Sequence, residues 1–165
     1  MIPIFLYWFL FLQLILVSVI DIKYRKISNT WFFINLSFFV SFLFIFPDIY
    51  SFNYSALKYS FGFIVVGLIL FKYKIMGAGD SKFLASFYLL VPQVLQYPLF
   101  IQILYTTIAI SAILFLVNVL KNFVRIKNAI FLLQPAGIKD LIGRKFTYAP
   151  IILLAWLGIG WFYVF

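Results

Sequence analysis

The chain has no cysteine and no histidine. The missing thiols exclude disulfides, iron–sulfur clusters and cysteine nucleophiles. The missing imidazoles remove Ser-His-Asp catalysis and, with cysteine also gone, the usual zinc ligands. Glutamate is absent as well, so the acids are Asp21, Asp48, Asp80 and Asp140. Any carboxylate chemistry rests on those four. Charge is scarce throughout: charged residues make up 10% of the chain, against roughly 25% in globular proteins. Hydrophobic residues make up 66%, against about 45–50%. A soluble fold of 165 residues needs a polar exterior that this composition cannot supply. The expectation is an all-α, polytopic membrane protein with a single domain over residues 1–165.

The net charge of +9 fits topology better than nucleic acid, because no basic soluble domain accompanies it. A hydrocarbon core about 30 Å thick takes about 20 residues of helix. Ile2–Ile20 is the first uncharged run. It has neither the basic start nor the small-residue cleavage site of a signal peptide. Trp31–Phe46 follows, ending at Pro47. Tyr59–Phe71 is a third span. Phe83–Val91 is a fourth, with an extension to Tyr97 left open across the interruption at Pro92, and Pro98–Leu120 and Ala149–Phe165 complete the set. Six spans collect Lys23, Arg25, Lys26, Lys72, Lys74, Lys82, Lys121, Arg125, Lys127, Lys139, Arg144 and Lys145 on one side, with Lys58 alone on the other. The positive-inside rule makes the crowded side cytoplasmic and both termini external. Between spans 5 and 6, Phe123, Ile126, Ile130 and Phe131 recur at helical spacing. They read either as an amphipathic helix in the membrane interface or as a cytoplasmic extension of span 5.

Acids at membrane depth are expensive and mark function. Asp21 directly follows nineteen apolar residues, at or just inside the cytoplasmic end of the first span, and Asp80 opens the fourth on the same side. Two helix ends on one membrane face can bring two carboxylates together. Such a pair does not ionise twice easily, so it holds one proton near neutral pH. That is the equipment for acid–base hydrolysis without metal or histidine. Taken singly, Asp21 reads equally as a helix-end acid paired with Lys23 or Arg25, and Asp80 as an acid favoured by a helix N-terminus. Gly77 and Gly79 stand just before Asp80, and glycine permits close backbone approach. Asp48 is expected at the external side, and Asp140 beside Lys139 and Arg144 in the basic loop.

Asp21-Ile22-Lys23-Tyr24-Arg25-Lys26-Ile27-Ser28-Asn29 resembles the first signature of type IV prepilin peptidases, D-x-[KR]-x-x-[KR]-I-P-N. Gly77-Ala78-Gly79-Asp80-Ser81-Lys82 resembles their second, G-x-G-D-x-K. The resemblance covers essentially the whole chain and is strongest to the short branch of the family. It implies an aspartyl endopeptidase with Asp21 and Asp80 as catalytic residues. Gly77, Gly79, Lys82, Lys23, Lys26 and Asn29 are implied as supporting motif residues, with no metal and no cofactor. The implied substrate is a pilin-like precursor, cut at the cytoplasmic face of the plasma (inner) membrane, with lipid as the other partner. Ser28 stands where the family usually has proline, and Thr147 replaces a proline before the last span. Both departures touch loop rigidity, not a catalytic group. The cysteine-rich insert that larger members carry between the first two spans is missing. Lys23, Arg25, Lys26 and Lys82 read either as plain topological charge or as sites for acidic substrate groups or lipid phosphate. The competing class is a small transporter or a pilus-assembly scaffold using the same two acids, although no repeat supports a transporter.

Overall fold

A computed structural model describes residues 3–73, 76–123 and 147–163. Among them are six α-helices: α1 Ile4–Tyr24, α2 Thr30–Ile45, α3 Tyr54–Lys72, α4 Ala78–Leu90, α5 Gln93–Lys121 and α6 Ala149–Tyr163. No strand occurs among the described residues. Lys74, the basic residues from Arg125 to Lys145, Asp140 and most of the expected interfacial helix lie outside the described residues.

Side-chain contacts show the helices alternating in direction. The early residue Tyr7 of α1 meets Trp156 and Gly160 late in α6, while Asp21 late in α1 meets Ala149 at the start of α6. Phe9 of α1 packs on Phe38 and Phe42 of α2. Ser60 of α3 donates to the Ala85 carbonyl of α4 at 2.6 Å. One end of the bundle therefore carries the α1–α2 and α3–α4 connections and the start of α6.

The distribution of polarity is that of a protein solvated by lipid. Leu12, Leu16 and Val19 of α1 are all more than half exposed, while Gln13, Ser18 and Asp21 on the same helix are buried. Asn35, Ser60, Ser81, Ser86 and Gln96 are buried too. An apolar solvent rewards this arrangement, because polar groups there must find partners inside the protein. Gln13 donates to Asn35, and Asn35 donates to Ser86 Oγ at 3.0 Å, which ties α1, α2 and α4 together in the interior. Three helices, α1, α3 and α5, are long and apolar enough to cross a bilayer, and α2 and α6 are shorter apolar helices. The chain is an integral membrane protein.

Asp21 sits inside α1, in its last turn, as expected of an acid at or just inside the end of the first span. Two boundaries differ from the sequence expectation. The α3 helix starts at Tyr54, because Asn53 caps it by accepting from the Ala56 N–H at 2.8 Å. The larger difference lies between spans 4 and 5. The α4 helix stops at Leu90, Val91 is extended as a residue before proline must be, and α5 starts at Gln93 with Pro98 inside it. Pro98 does not begin the span, since the helix has already formed one turn earlier.

With 13 residues, α4 is about 20 Å long and cannot cross a core of about 30 Å by itself. Instead it is the central helix: eight of its residues are buried, against α2, α3 and α6. Phe87 meets Trp156 edge-on, and Tyr88 lies against Tyr59 and Phe63. Its last carbonyls have no helical partner and are met by side chains. Gln96 Nε2 donates to the carbonyls of Tyr88 and Val91 at 3.1 and 3.3 Å, and also to Ala56 of α3 at 3.1 Å. Tyr50 donates to the Leu90 carbonyl at 2.6 Å.

An unsatisfied buried polar group costs about 1–3 kcal/mol, and Gln96→Leu deprives three carbonyls of one donor. The expected outcome is a loss of at least 2 kcal/mol, on the order of one to two such groups, read as a lowered thermal midpoint in detergent. An unchanged midpoint would show that this turn does not depend on the Gln96 amide.

Candidate functional site

Asp21 and Asp80 come together at the end of the bundle that holds the α1–α2 and α3–α4 connections. Asp21 is 2% exposed and faces the start of α6, where its Oδ2 accepts the Ala149 N–H at 3.2 Å and the Tyr148 N–H contributes as well. These are the unpaired amides of a first helical turn, which favour an anionic partner. Pro150 follows them, a residue suited to that turn because its missing N–H would have no helical partner. Asp80 is the third residue of α4 and half-buried. Its Oδ2 accepts the Gly77 N–H at 3.2 Å, the carboxylate arm of a capping box. Both acids thus stand at the same end of the bundle, Asp21 in the last turn of α1 and Asp80 in the first turn of α4.

Both glycines before Asp80 have a spatial reason. A Cβ on Gly77 would press on Asp80 Oδ2 at 3.0 Å. A Cβ on Gly79 would collide with the carbonyl oxygen of Ile27, well inside contact distance. Ile27 is 2% exposed and belongs to the segment after Asp21. The start of α4 therefore lies directly against the backbone of the α1–α2 connection. Lys82 Nζ adds a second tie to that connection by donating to Asn29 Oδ1 at 3.3 Å. The turn out of α1 is made by Arg25, whose φ of 51° is left-handed and whose N–H closes on the Asp21 carbonyl at 2.8 Å.

The structure thus brings together Asp21, Asp80, Gly77, Gly79, Lys82 and Asn29. Lys23 and Lys26 are exposed at the rim, and Lys23 Nζ lies 5.2 Å from the centroid of the Tyr24 ring. Asp48 is exposed at the opposite end of the bundle. No cluster of metal-ligating side chains occurs among the described residues.

A family model described as the type IV leader peptidase family matches residues 8–164. The chain belongs to that family. No curated protein and no solved structure matches it. Membership makes this membrane protein a peptidase of the type IV leader class and selects against the transporter and scaffold readings.

Sequence reasoning did not anticipate Tyr148 and Ala149. Their part is played by backbone amides, which leave no side-chain signature, and Pro150 after them is the available signal of a helix start. Burial pushes the Tyr148 phenol above the ordinary tyrosine range, and the charge of Asp80 pushes in the same direction. Tyr148 therefore stays protonated beside the acids.

The glycine contacts predict a contrast within one protein. Gly79→Ala forces backbone against backbone, a clash of the overpacking kind worth about 1–3 kcal/mol, and lowers the thermal midpoint. Gly62 in α3 has nothing within 4 Å of an added Cβ, so Gly62→Ala leaves the midpoint unchanged or raises it by the roughly 0.5–1 kcal/mol that alanine gains over glycine in a helix. Equal effects at the two positions would contradict the close approach of α4 to Ile27.

Proposed function

We propose that this peptidase is an aspartyl endopeptidase of the membrane, with Asp21 and Asp80 as its catalytic residues. On this reading it removes the leader of pilin-like precursors at the cytoplasmic face. The observation that carries the reading is that two separate helix ends deliver two acids to one end of the bundle. The packing of Gly79 on Ile27 and the Lys82–Asn29 hydrogen bond hold those ends together.

Two neighbouring carboxyl groups hold one proton between them, and the titration belongs to the pair. The ionised member takes a proton from water as that water attacks the scissile carbonyl carbon. The protonated member donates a hydrogen bond to the carbonyl oxygen and then protonates the leaving nitrogen. The peptide C–N bond breaks, one product gains OH and the other H, and the pair again holds one proton. Neither metal nor cofactor is called for by this scheme. Lys23, Lys26 and Lys82 line the approach as cations beside the acids, suited to lipid phosphate or acidic substrate groups.

The orientation is part of the proposal. The site end of the bundle holds Lys23, Arg25, Lys26, Lys72, Lys82 and Lys121, while Lys58 lies near the start of α3 at the other end. The positive-inside rule then turns the site toward the cytoplasm and both termini outward. The native chain has no cysteine, so single-cysteine variants report cleanly. Ser55→Cys should react with an impermeant thiol reagent from outside intact cells, and Asn128→Cys should react only after permeabilisation. The reverse pattern refutes the orientation.

The catalytic assignment makes a sharper demand. Asp21→Asn and Asp80→Asn keep side-chain size but cannot take or give the proton. Each should insert at normal levels and lose processing of a pilin-like precursor by at least about a hundredfold, as expected for acid–base groups. The double variant should be scarcely worse than either single, because groups acting as a unit are strongly non-additive. Asp48→Asn, at the far end, should keep most activity. Near wild-type processing by either site variant, measured by gel shift of the precursor in membranes, would end the aspartyl reading.

A further inference from the structure

Ser18 is buried at 4% exposure in the interior face of α1. Its hydroxyl makes no hydrogen bond to any described residue. A serine inside a helix normally returns its hydroxyl to a carbonyl one turn back, as Ser41 does to Ser37 at 3.0 Å. Ser18 does not, and no other described residue meets its hydroxyl. A buried, unpaired hydroxyl costs stability and calls for a functional or solvent explanation.

Its position supplies one. Ser18 is three residues before Asp21, so the two lie on one face of α1, with about 5–6 Å between their Cβ atoms. Every Cα–Cβ bond in a helix tilts toward the N-terminus, so the Asp21 side chain leans back over the turn that carries Ser18. The Asp21 Oδ2 atom is engaged by the first turn of α6. An ionised carboxylate accepts about four hydrogen bonds, so the amides of Tyr148 and Ala149 leave Asp21 room for a further donor. The remaining neighbours on this face of α1, Leu14 and Val17, are fully buried and apolar. They offer no competing polar partner.

We propose that Ser18 is a positioning residue that holds a water molecule against the Asp21 carboxylate, one turn inward from the site opening. The proposal rests on the aspartyl reading above and deepens it, because it names where the attacking water is kept. The bound ligand is water itself: the Ser18 hydroxyl and the Asp21 carboxylate each take part in a hydrogen bond with it. Asp21 is then the member that draws the proton. As the water oxygen bonds to the scissile carbon, that proton moves to Asp21, and Asp80 gives its own proton to the departing nitrogen. Water is the solvent and the co-substrate of hydrolysis, so no further reactant is needed. In an apolar interior, a single hydroxyl placed beside the base raises the local occupancy of water where bulk solvent is dilute.

The test uses the full-length protein in detergent or liposomes with a pilin-like precursor. Ser18→Ala removes a hydroxyl that no described residue pairs, so the thermal midpoint should stay the same or rise. Turnover should fall tenfold or more, and KM should change less than twofold, because the precursor does not touch Ser18. Ser18→Cys keeps nearly the same size but hydrogen-bonds weakly. It should show a fall in kcat of the same sense, and it carries the test if the alanine variant inserts poorly. On an Asp21→Asn background, Ser18→Ala should have no further effect. Turnover within twofold of wild type in both Ser18 variants overturns the proposal while leaving the aspartyl reading intact. A lowered midpoint with unchanged kcat overturns it too, as the mark of a merely structural serine. Absence of cleavage by the wild-type protein would instead sink the reading on which the proposal stands.

Discussion

The rest of the structure depends on a helix too short for its medium. At 13 residues, α4 spans about two-thirds of a hydrocarbon core, and lipid offers no hydrogen bonds to the ends it leaves inside. Each end must therefore be met by protein. At the far end, Gln96 and Tyr50 supply donors to the carbonyls of Tyr88, Leu90 and Val91. At the near end, the Asp80 carboxylate accepts the Gly77 N–H. The group that stabilises this helix end is also the group proposed to do chemistry. A short, enclosed helix thus places an acid at the end of the bundle without exposing it to lipid.

The same constraint explains the second acid. Asp21 sits in the last turn of α1, near the C-terminal end of a helix, where the dipole of its own helix disfavours negative charge. The start of α6 offsets this with two backbone amides aimed at the carboxylate. Asp21 and Asp80 are thus each stabilised by a helix start, one belonging to α6 and one to its own helix. The α1–α2 connection that follows Asp21 is pinned to the start of α4 by Gly79 on the Ile27 carbonyl and by Lys82 on Asn29. Residues 53 positions apart in sequence thereby act as one rigid support.

Much of this was legible in the sequence, and the reasons are physical. Uncharged runs report helices because lipid excludes charge, so the number and order of the helices could be read directly. Asp21 and Asp80 stood out because an acid beside such a run is costly, and Gly77 and Gly79 because glycine marks close approach. Composition said nothing of which backbone each glycine approaches, since Ile27 contributes a carbonyl that every residue has. The α4–α5 boundary was misread for a related reason. Pro98 reads as a start because proline suits a first helical turn, but α5 carries it in its interior without the N–H that would meet the Val94 carbonyl, and Pro92 has already ended α4. Tyr148 and Ala149 were invisible because their amides, not their side chains, meet Asp21.

The inverted polarity of the bundle carries the last step. In a soluble protein the interior is dry and the surface wet. Here Leu12, Leu16 and Val19 face outward while Gln13, Ser18, Asn35 and Ser86 face inward. A hydrolase in this setting has to keep both its base and its water away from lipid. The Gln13–Asn35–Ser86 chain satisfies its members mainly by one another and binds three helices together. The Ser18 hydroxyl, on the α1 face that also presents Asp21, has no such internal partner. Among the described residues, Gln13 Oε1, Ser18 Oγ, Tyr88 Oη and Gln96 Oε1 are buried without a partner, and of these Ser18 Oγ is the one that lies a single turn from Asp21 on the same helix. Its place beside the acid, and not the lack of a partner alone, marks it as available to chemistry.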